Sequence, residues 1–202
     1  MTVIVNDMSE VNIDADLVRV IRRTLDPAIA GALDTVPVAN LPKLRLSGHL
    51  AAIESALREG LTEAGFGPEW LAGWLVEDIG AWGRLFQEVA AASGLQVRLE
   101  AVEDDACRRF HTDNMRYRLV CTYRGPGTQW VDPKSVVNLP CGAPVPEEAI
   151  RQFERGTVAI MRGGRHATAE APGLLHRSPP IAGAGVTRLF LAIDDLADHE
   201  HR

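Results

Sequence analysis

The sequence predicts an α+β chain with helices first and strands second, on three observations. Apolar residues recur at helical spacing up to about residue 94. From Leu95 onward they alternate in short runs, and Gly and Pro turns separate those runs. At 202 residues the chain is long enough for one well-buried core, so residues 1–94 are expected as a helical extension packed on residues 95–202 within a single structural domain.

Asp14 to Arg23 reads as a short helix with Leu17, Val18 and Ile21 on one face, and Pro27, Pro37 and Pro42 then limit helix length. Ser47 to Ala64 is a clearer helix: Ser47 suits an N-cap, Leu50, Ile53, Leu57 and Leu61 recur at helical spacing, and Gly65 and Gly67 end it. A second helix begins near Pro68 and runs to about Ser93, with Leu71, Leu75, Ile79, Trp82, Phe86 and Val89 along one face. Trp70, Trp74 and Trp82 are expected to pack against a neighbouring layer.

In the second half Leu95, Val97 and Leu99 face one way and Glu103-Asp104-Asp105 makes a turn. Strands are expected over Arg108 to Asp113, Met115 to Tyr123, Thr128 to Val131, Thr157 to Met161, Gly173 to Arg177 and Thr187 to Ile193. Gly125-Pro126-Gly127, Gly163-Gly164 and Pro179-Pro180 punctuate them, and Pro146 to Glu154 suits a helical turn. Many short strands broken in this way indicate a sandwich or jelly roll.

Composition excludes more than it selects. A formal net charge of -6 argues against a general nucleic-acid binder, which needs clustered Lys and Arg. No apolar run reaches membrane-spanning length, and Met1 to Glu10 has neither a basic start nor a long apolar stretch, so a signal peptide is not expected and the expectation is a cytoplasmic protein. The three cysteines, Cys107, Cys121 and Cys141, form no Cys-x-x-Cys pair and read as reduced thiols. Ser178 lies in no nucleophile elbow, and Gly183-Ala184-Gly185 lacks the strand-before, helix-after setting of a dinucleotide loop. His166 in its turn is either a solvated loop residue or a fourth ligand, and Asp198 to His201 read as a polar tail.

Chemistry gathers in three words. In His111-Thr112-Asp113, residues two apart on a strand share a face, so imidazole and carboxylate project together. His176 ends an apolar strand, where a histidine is either a hydrogen-bonded core residue or a ligand. Arg188 opens the last apolar strand twelve residues later, solvated, ion-paired, or clamping a carboxylate with its fork. Two His and one carboxylate on one face of an ion leave positions open, the arrangement of non-haem Fe(II) oxygenases.

The stretches Phe110 to Asn114 with Thr122-Tyr123, and Gly156 through His176-Arg177-Ser178-Pro179-Pro180 to Arg188-Leu189, resemble the 2-oxoglutarate/Fe(II) oxygenase superfamily over about residues 108–194. That resemblance implies a double-stranded β-helix (jelly roll) flanked by N-terminal helices, with His111, Asp113 and His176 as iron ligands. It also implies Arg188 on the distal carboxylate of 2-oxoglutarate, with Tyr123 or Thr122 hydrogen-bonding the same co-substrate. Phe110-His111-Thr112-Asp113, Cys121 through Trp130, and His176 through Pro180 further resemble an uncharacterised bacterial family, domain-of-unknown-function family eighteen twenty-six. Its members are associated with zinc-homeostasis gene neighbourhoods, which implies a role in metal limitation. Arg116, Arg118 and Arg124 lie close to the second word and make either a binding site for an anionic substrate or an exposed basic strand edge. The expected function is thus an Fe(II)/2-oxoglutarate-dependent oxygenase or hydroxylase acting on a small molecule or a protein. The alternatives are a non-catalytic zinc-binding protein on the same fold, or a cupin-like isomerase or hydrolase using another metal.

Overall fold

A computed structural model describes residues 17–104, 107–132, 144–165, 167–168 and 172–199. Among the described residues the fold is built of two antiparallel sheets and three α-helices. The strands are β1 Val18–Ile21, β2 Lys43–Gly48, β3 Leu95–Val102, β4 Tyr117–Arg124, β5 Gln129–Val131, β6 Ile150–Gln152, β7 Val158–Arg162, β8 His176–Arg177 and β9 Arg188–Asp195. Six of them form the larger sheet in the order β1-β7-β4-β9-β3-β2, and β6-β5-β8 form the smaller one. The helices are α1 Pro27–Thr35, α2 Leu50–Glu63 and α3 Glu69–Ala90.

Period-2 alternation sorts the two faces of the larger sheet. Leu95, Val97 and Leu99 of β3, Leu119, Cys121 and Tyr123 of β4, and Leu189, Leu191 and Ile193 of β9 join one core with Ile53, Leu57 and Leu61 of α2 and Leu71, Leu75, Ile79 and Phe86 of α3. The opposite face of that sheet meets the smaller sheet in a second core, where Val120, Ala159 and Met161 pack with Phe153 and Leu174, and Trp130 and Phe190 lie against them. The order of layers is therefore helices, large sheet, small sheet.

Several expectations from sequence change here. The stretch expected as a first helix is in part β1, which pairs with β7 from Val18↔Met161 to Ile21↔Val158. Val18, Val20 and Ile21 are β-branched, and the edge of β7 offers a partner that outweighs their helical spacing. The first helix instead starts at Pro27, whose missing N–H costs nothing at a helix start, and the Asp26 side chain accepts from Ala28 N at 2.8 Å. Ser47 is not an N-cap: it lies in β2 opposite Gln96, and His49 takes the cap position of α2. Residues 1–94 thus contribute two strands to the larger sheet as well as the helices. Trp82 is buried and Trp74 half-buried, whereas Trp70, in the first turn of α3, is 55% exposed. Residues 108–113 form no strand beyond one bridge at His111, and only His176–Arg177 of the expected 173–177 strand is regular. The polar tail reading fails for Asp198, which is buried, accepts from Arg116 N at 2.9 Å and pairs with Arg165 Nη1 at 2.7 Å. His166 and Cys141 lie outside the described residues.

Candidate metal centre

His111 and His176 are brought face to face by the backbone. His111 N donates to His176 O and His176 N donates to His111 O, each at 3.0 Å, an antiparallel bridge that sets the two residues directly opposite. Their rings lie 4.6 Å apart between centroids. Asp113 reaches the same point from the turn after the bridge. That turn is held by Gly163-Gly164, since Gly164 N donates to Asp113 O at 2.7 Å and Gly163 N to Arg116 O at 2.9 Å. A Cβ on Gly163 would collide with the Met115 carbonyl, so only glycine permits this approach. Imidazole and carboxylate therefore converge through a glycine-backed loop and not through a shared strand face.

The three side chains each bring one ligand atom to within 4.8 Å of the others. His176 Nε2 lies 3.2 Å from Asp113 Oδ2, and His111 Nε2 lies 3.8 Å from Asp113 Oδ1. The Nδ1 atoms face carbonyls: His111 Nδ1 to Arg109 O at 2.9 Å, and His176 Nδ1 to Leu174 O at 3.1 Å. A carbonyl only accepts, so each Nδ1 faces it as an N–H donor and each Nε2 is turned toward the Asp113 carboxylate. Asp113 Oδ2 is itself buried without a hydrogen bond, although Arg118 Nη1 stands 2.8 Å away as its ion-pair partner. The donor set fits a divalent ion, and the Nδ1–carbonyl contacts are the outer support that metal-bound histidines usually have.

Electrostatics keep the carboxylate ionised. Burial alone pushes the Asp113 carboxyl up, but the His176 imidazole and the Arg118 guanidinium, followed by His111, outweigh it and hold it at about 2. Arg118 in turn donates to Asp194 through Nε and Nη2, both at 2.7 Å. Three of its five N–H groups thus face two carboxylates, and Arg118 also lines the cavity, as its expected place near a substrate requires. Arg124 does not line the cavity beside the metal trio, and its Nη1 donates to Val36 O at 2.7 Å, tying β4 to the end of α1.

Arg188 opens β9 on the same side of the sheet. It is only 2% exposed, and its Nε donates to Pro126 O at 2.7 Å while Nη2 approaches Thr122 Oγ1 at 3.2 Å and Thr128 Oγ1 at 3.5 Å. No carboxylate pairs with it among the described residues. Burial lowers its pKa to about 10, so it stays charged at neutral pH. Gly125, at φ +76°, turns the chain so closely over Arg188 that a side chain there would press on it. Arg188, Thr128, His111 and His176 line one cavity of about 120 Å³, with Val120 and Phe190 as apolar wall.

Tyr123 is not part of this cavity. Its ring is fully buried among the helices, and its hydroxyl donates to Asp78 Oδ2 at 2.7 Å. Thr122, one residue earlier, faces the cavity side and touches Arg188. The alternation Leu119, Cys121, Tyr123 already carries this signal, because it puts the tyrosine on the apolar face. Arg98 is the residue that sequence reasoning missed: it lines the cavity from β3, and only the pairing of β3 with β9 brings it there.

Comparison with known proteins adds fold and family. The structure resembles a dioxygenase for auxin oxidation from rice at a TM-score of 0.52 and 14% identity, over 91% of this chain and 74% of that one. Weaker likenesses are to the Arabidopsis thaliana dioxygenase for auxin oxidation 1 in a binary complex with 2-oxoglutarate (TM-score 0.45, 13% identity, 84% and 76% covered) and to a Pseudomonas putida prolyl-4-hydroxylase (TM-score 0.37, 12% identity, 84% and 94% covered). At these identities the rice enzyme speaks for the fold alone. No curated protein matches the sequence. No helix among the described residues is long and apolar enough to cross a membrane. A family profile matches residues 5–194, nearly the whole chain, and the protein therefore belongs to the family described as protein of unknown function DUF1826.

Proposed function

We propose that the protein is an Fe(II)- and 2-oxoglutarate-dependent oxygenase, and that its two sheets are the halves of a double-stranded β-helix. One observation carries this reading. The His111 and His176 Nε2 atoms and the Asp113 carboxylate converge within 4.8 Å of one another, and both histidines line the same cavity as Arg188, a buried guanidinium without a carboxylate partner among the described residues. A bound iron supplies the activation of dioxygen and the oxidation of 2-oxoglutarate. His111, Asp113 and His176 hold the ion from one side and leave the other open. Arg188 pairs with the distal carboxylate of 2-oxoglutarate, and Thr122 and Thr128 fix its fork. Val120 and Phe190 keep water from the reacting end.

The same three ligands accept Zn²⁺, and more tightly than Fe²⁺ by the general affinity order, so activity and metal content are measured together. Protein reconstituted anaerobically with Fe(II) and then exposed to air, with ascorbate supplying the two electrons that an absent substrate would give, is expected to convert 2-oxoglutarate to succinate and CO2, and Zn(II)-loaded protein is not. Arg188→Ala is expected to raise KM for 2-oxoglutarate at least about tenfold, the worth of one charge-assisted hydrogen bond. Unchanged 2-oxoglutarate binding in Arg188→Ala contradicts the proposal.

A further inference from the structure

One of the four arginines lining the cavity has no role in holding metal or co-substrate. Arg98 lies on β3 opposite Ala192, on the face of the sheet that carries Arg118 and Arg188. Its Nε is buried and has no acceptor among the described residues. The neighbouring arginines are engaged: Arg118 with Asp113 and Asp194, Arg177 with Gln129 Oε1 at 2.8 Å and over the Phe110 ring at 4.4 Å, and Arg188 with Pro126 O. A buried N–H without an acceptor is costly, and native structures keep one chiefly where something else supplies the acceptor. Ala192, directly across from Arg98, is small enough to leave room for it.

Arg98 and Arg188 enter the cavity from different levels of the sheet: their register partners are Ala192 and Val102, so their Cα atoms are offset by four residues along adjacent strands, roughly 13 Å at about 3.3 Å per residue. A co-substrate carboxylate on Arg188 leaves Arg98 unmatched. Glu100, two residues along β3, shares the face, lines the cavity and is held by Arg45 at 3.4 Å. Its negative charge beside Arg98 penalises a dianion such as a phosphate monoester, while the planar guanidinium fork suits a carboxylate.

We propose that Arg98 receives the carboxylate of the substrate, so that the protein acts on a small monocarboxylic acid. This rests on the oxygenase reading above. The test is calorimetric titration of the full chain, loaded with Mn(II) and saturated with 2-oxoglutarate without oxygen, against acetate, hexanoate and phenylacetate and their amides. At least one acid is expected to bind at least about tenfold more tightly than its amide, in line with one charge-assisted hydrogen bond. Arg98→Gln is expected to abolish that preference while 2-oxoglutarate affinity stays within about twofold, and Arg98→Lys to keep part of it. Equal binding of acids and amides, no binding of any acid, or loss of 2-oxoglutarate binding in Arg98→Gln overturns the assignment. A wild-type chain that fails to take up 2-oxoglutarate in the first titration overturns the oxygenase reading, and this assignment with it.

Discussion

At the scale of single residues, the centre is set by where protons are forced to sit. Each histidine turns Nδ1 to a carbonyl that can only accept, which leaves Nε2 to face the Asp113 carboxylate. Arg118 is the counterweight. It bridges half-buried Asp113 and buried Asp194, both with pKa values held below the ordinary range. Arg118→Met leaves buried Asp194 and half-buried Asp113 without that partner, and a loss of about 3–5 kcal/mol in urea denaturation at pH 7 is expected. The pH dependence has a definite sign. Carboxyls with a lowered folded pKa stabilise fully above their unfolded value near ~3.9 and lose that contribution as pH falls toward the folded value. The gap between wild type and Arg118→Met is therefore expected to narrow between about pH 4 and pH 2, and a gap independent of pH there contradicts the role given to Arg118. His111, Asp113, His176 and Arg188 are legible in the sequence because their types and order are unusual on short apolar strands. Arg118 is not, since its two partners lie 5 and 76 residues away and nothing local marks them.

At the scale of elements, β4 shows both what alternation reveals and where it misleads. Period 2 puts Leu119, Cys121 and Tyr123 against the helices and Arg118, Val120 and Thr122 toward the cavity. The register of β4 on β9 then slips between Thr122 and Arg124, a bulge that redirects the strand just where Gly125 passes over Arg188. Behind the sheet, Asp78 of α3 gathers Arg23 Nη2 at 2.7 Å, Tyr123 OH at 2.7 Å and Trp82 Nε1 at 3.0 Å, while Arg23 Nε donates to Gly156 O at 2.7 Å. This buried knot ties α3, β4 and the chain after β1 to the turn before β7. Burial pushes the adjacent Cys121 thiol up to about 12, so it is inert. Asp78→Ala strands a buried guanidinium, and a loss of about 3–5 kcal/mol is expected by denaturant titration; a change below about 1 kcal/mol contradicts the knot. None of this was legible beforehand. Arg23 and Asp78 each look like an ordinary surface charge until β1 pairs with β7, and β1 itself reads as helix because four residues are too few to separate period 2 from period 3.6.

At the scale of the whole molecule, three layers divide the work. The helices bury one face of the larger sheet, and the smaller sheet closes part of the other face and leaves a cavity of about 120 Å³. The helix-then-strand order was legible from the change of period near residue 95, but the two N-terminal strands were not, because edge pairing depends on partners more than a hundred residues away for β1 and about fifty for β2. Everything functional follows from the cavity holding one cation between His111, Asp113 and His176. The direct test is an anomalous difference map from crystals of the full chain grown with Mn(II). The account predicts one strong peak within coordination distance of His111 Nε2, His176 Nε2 and the Asp113 carboxylate, absent from His176→Ala crystals prepared alike. No peak at that point, or one that survives in His176→Ala, contradicts it.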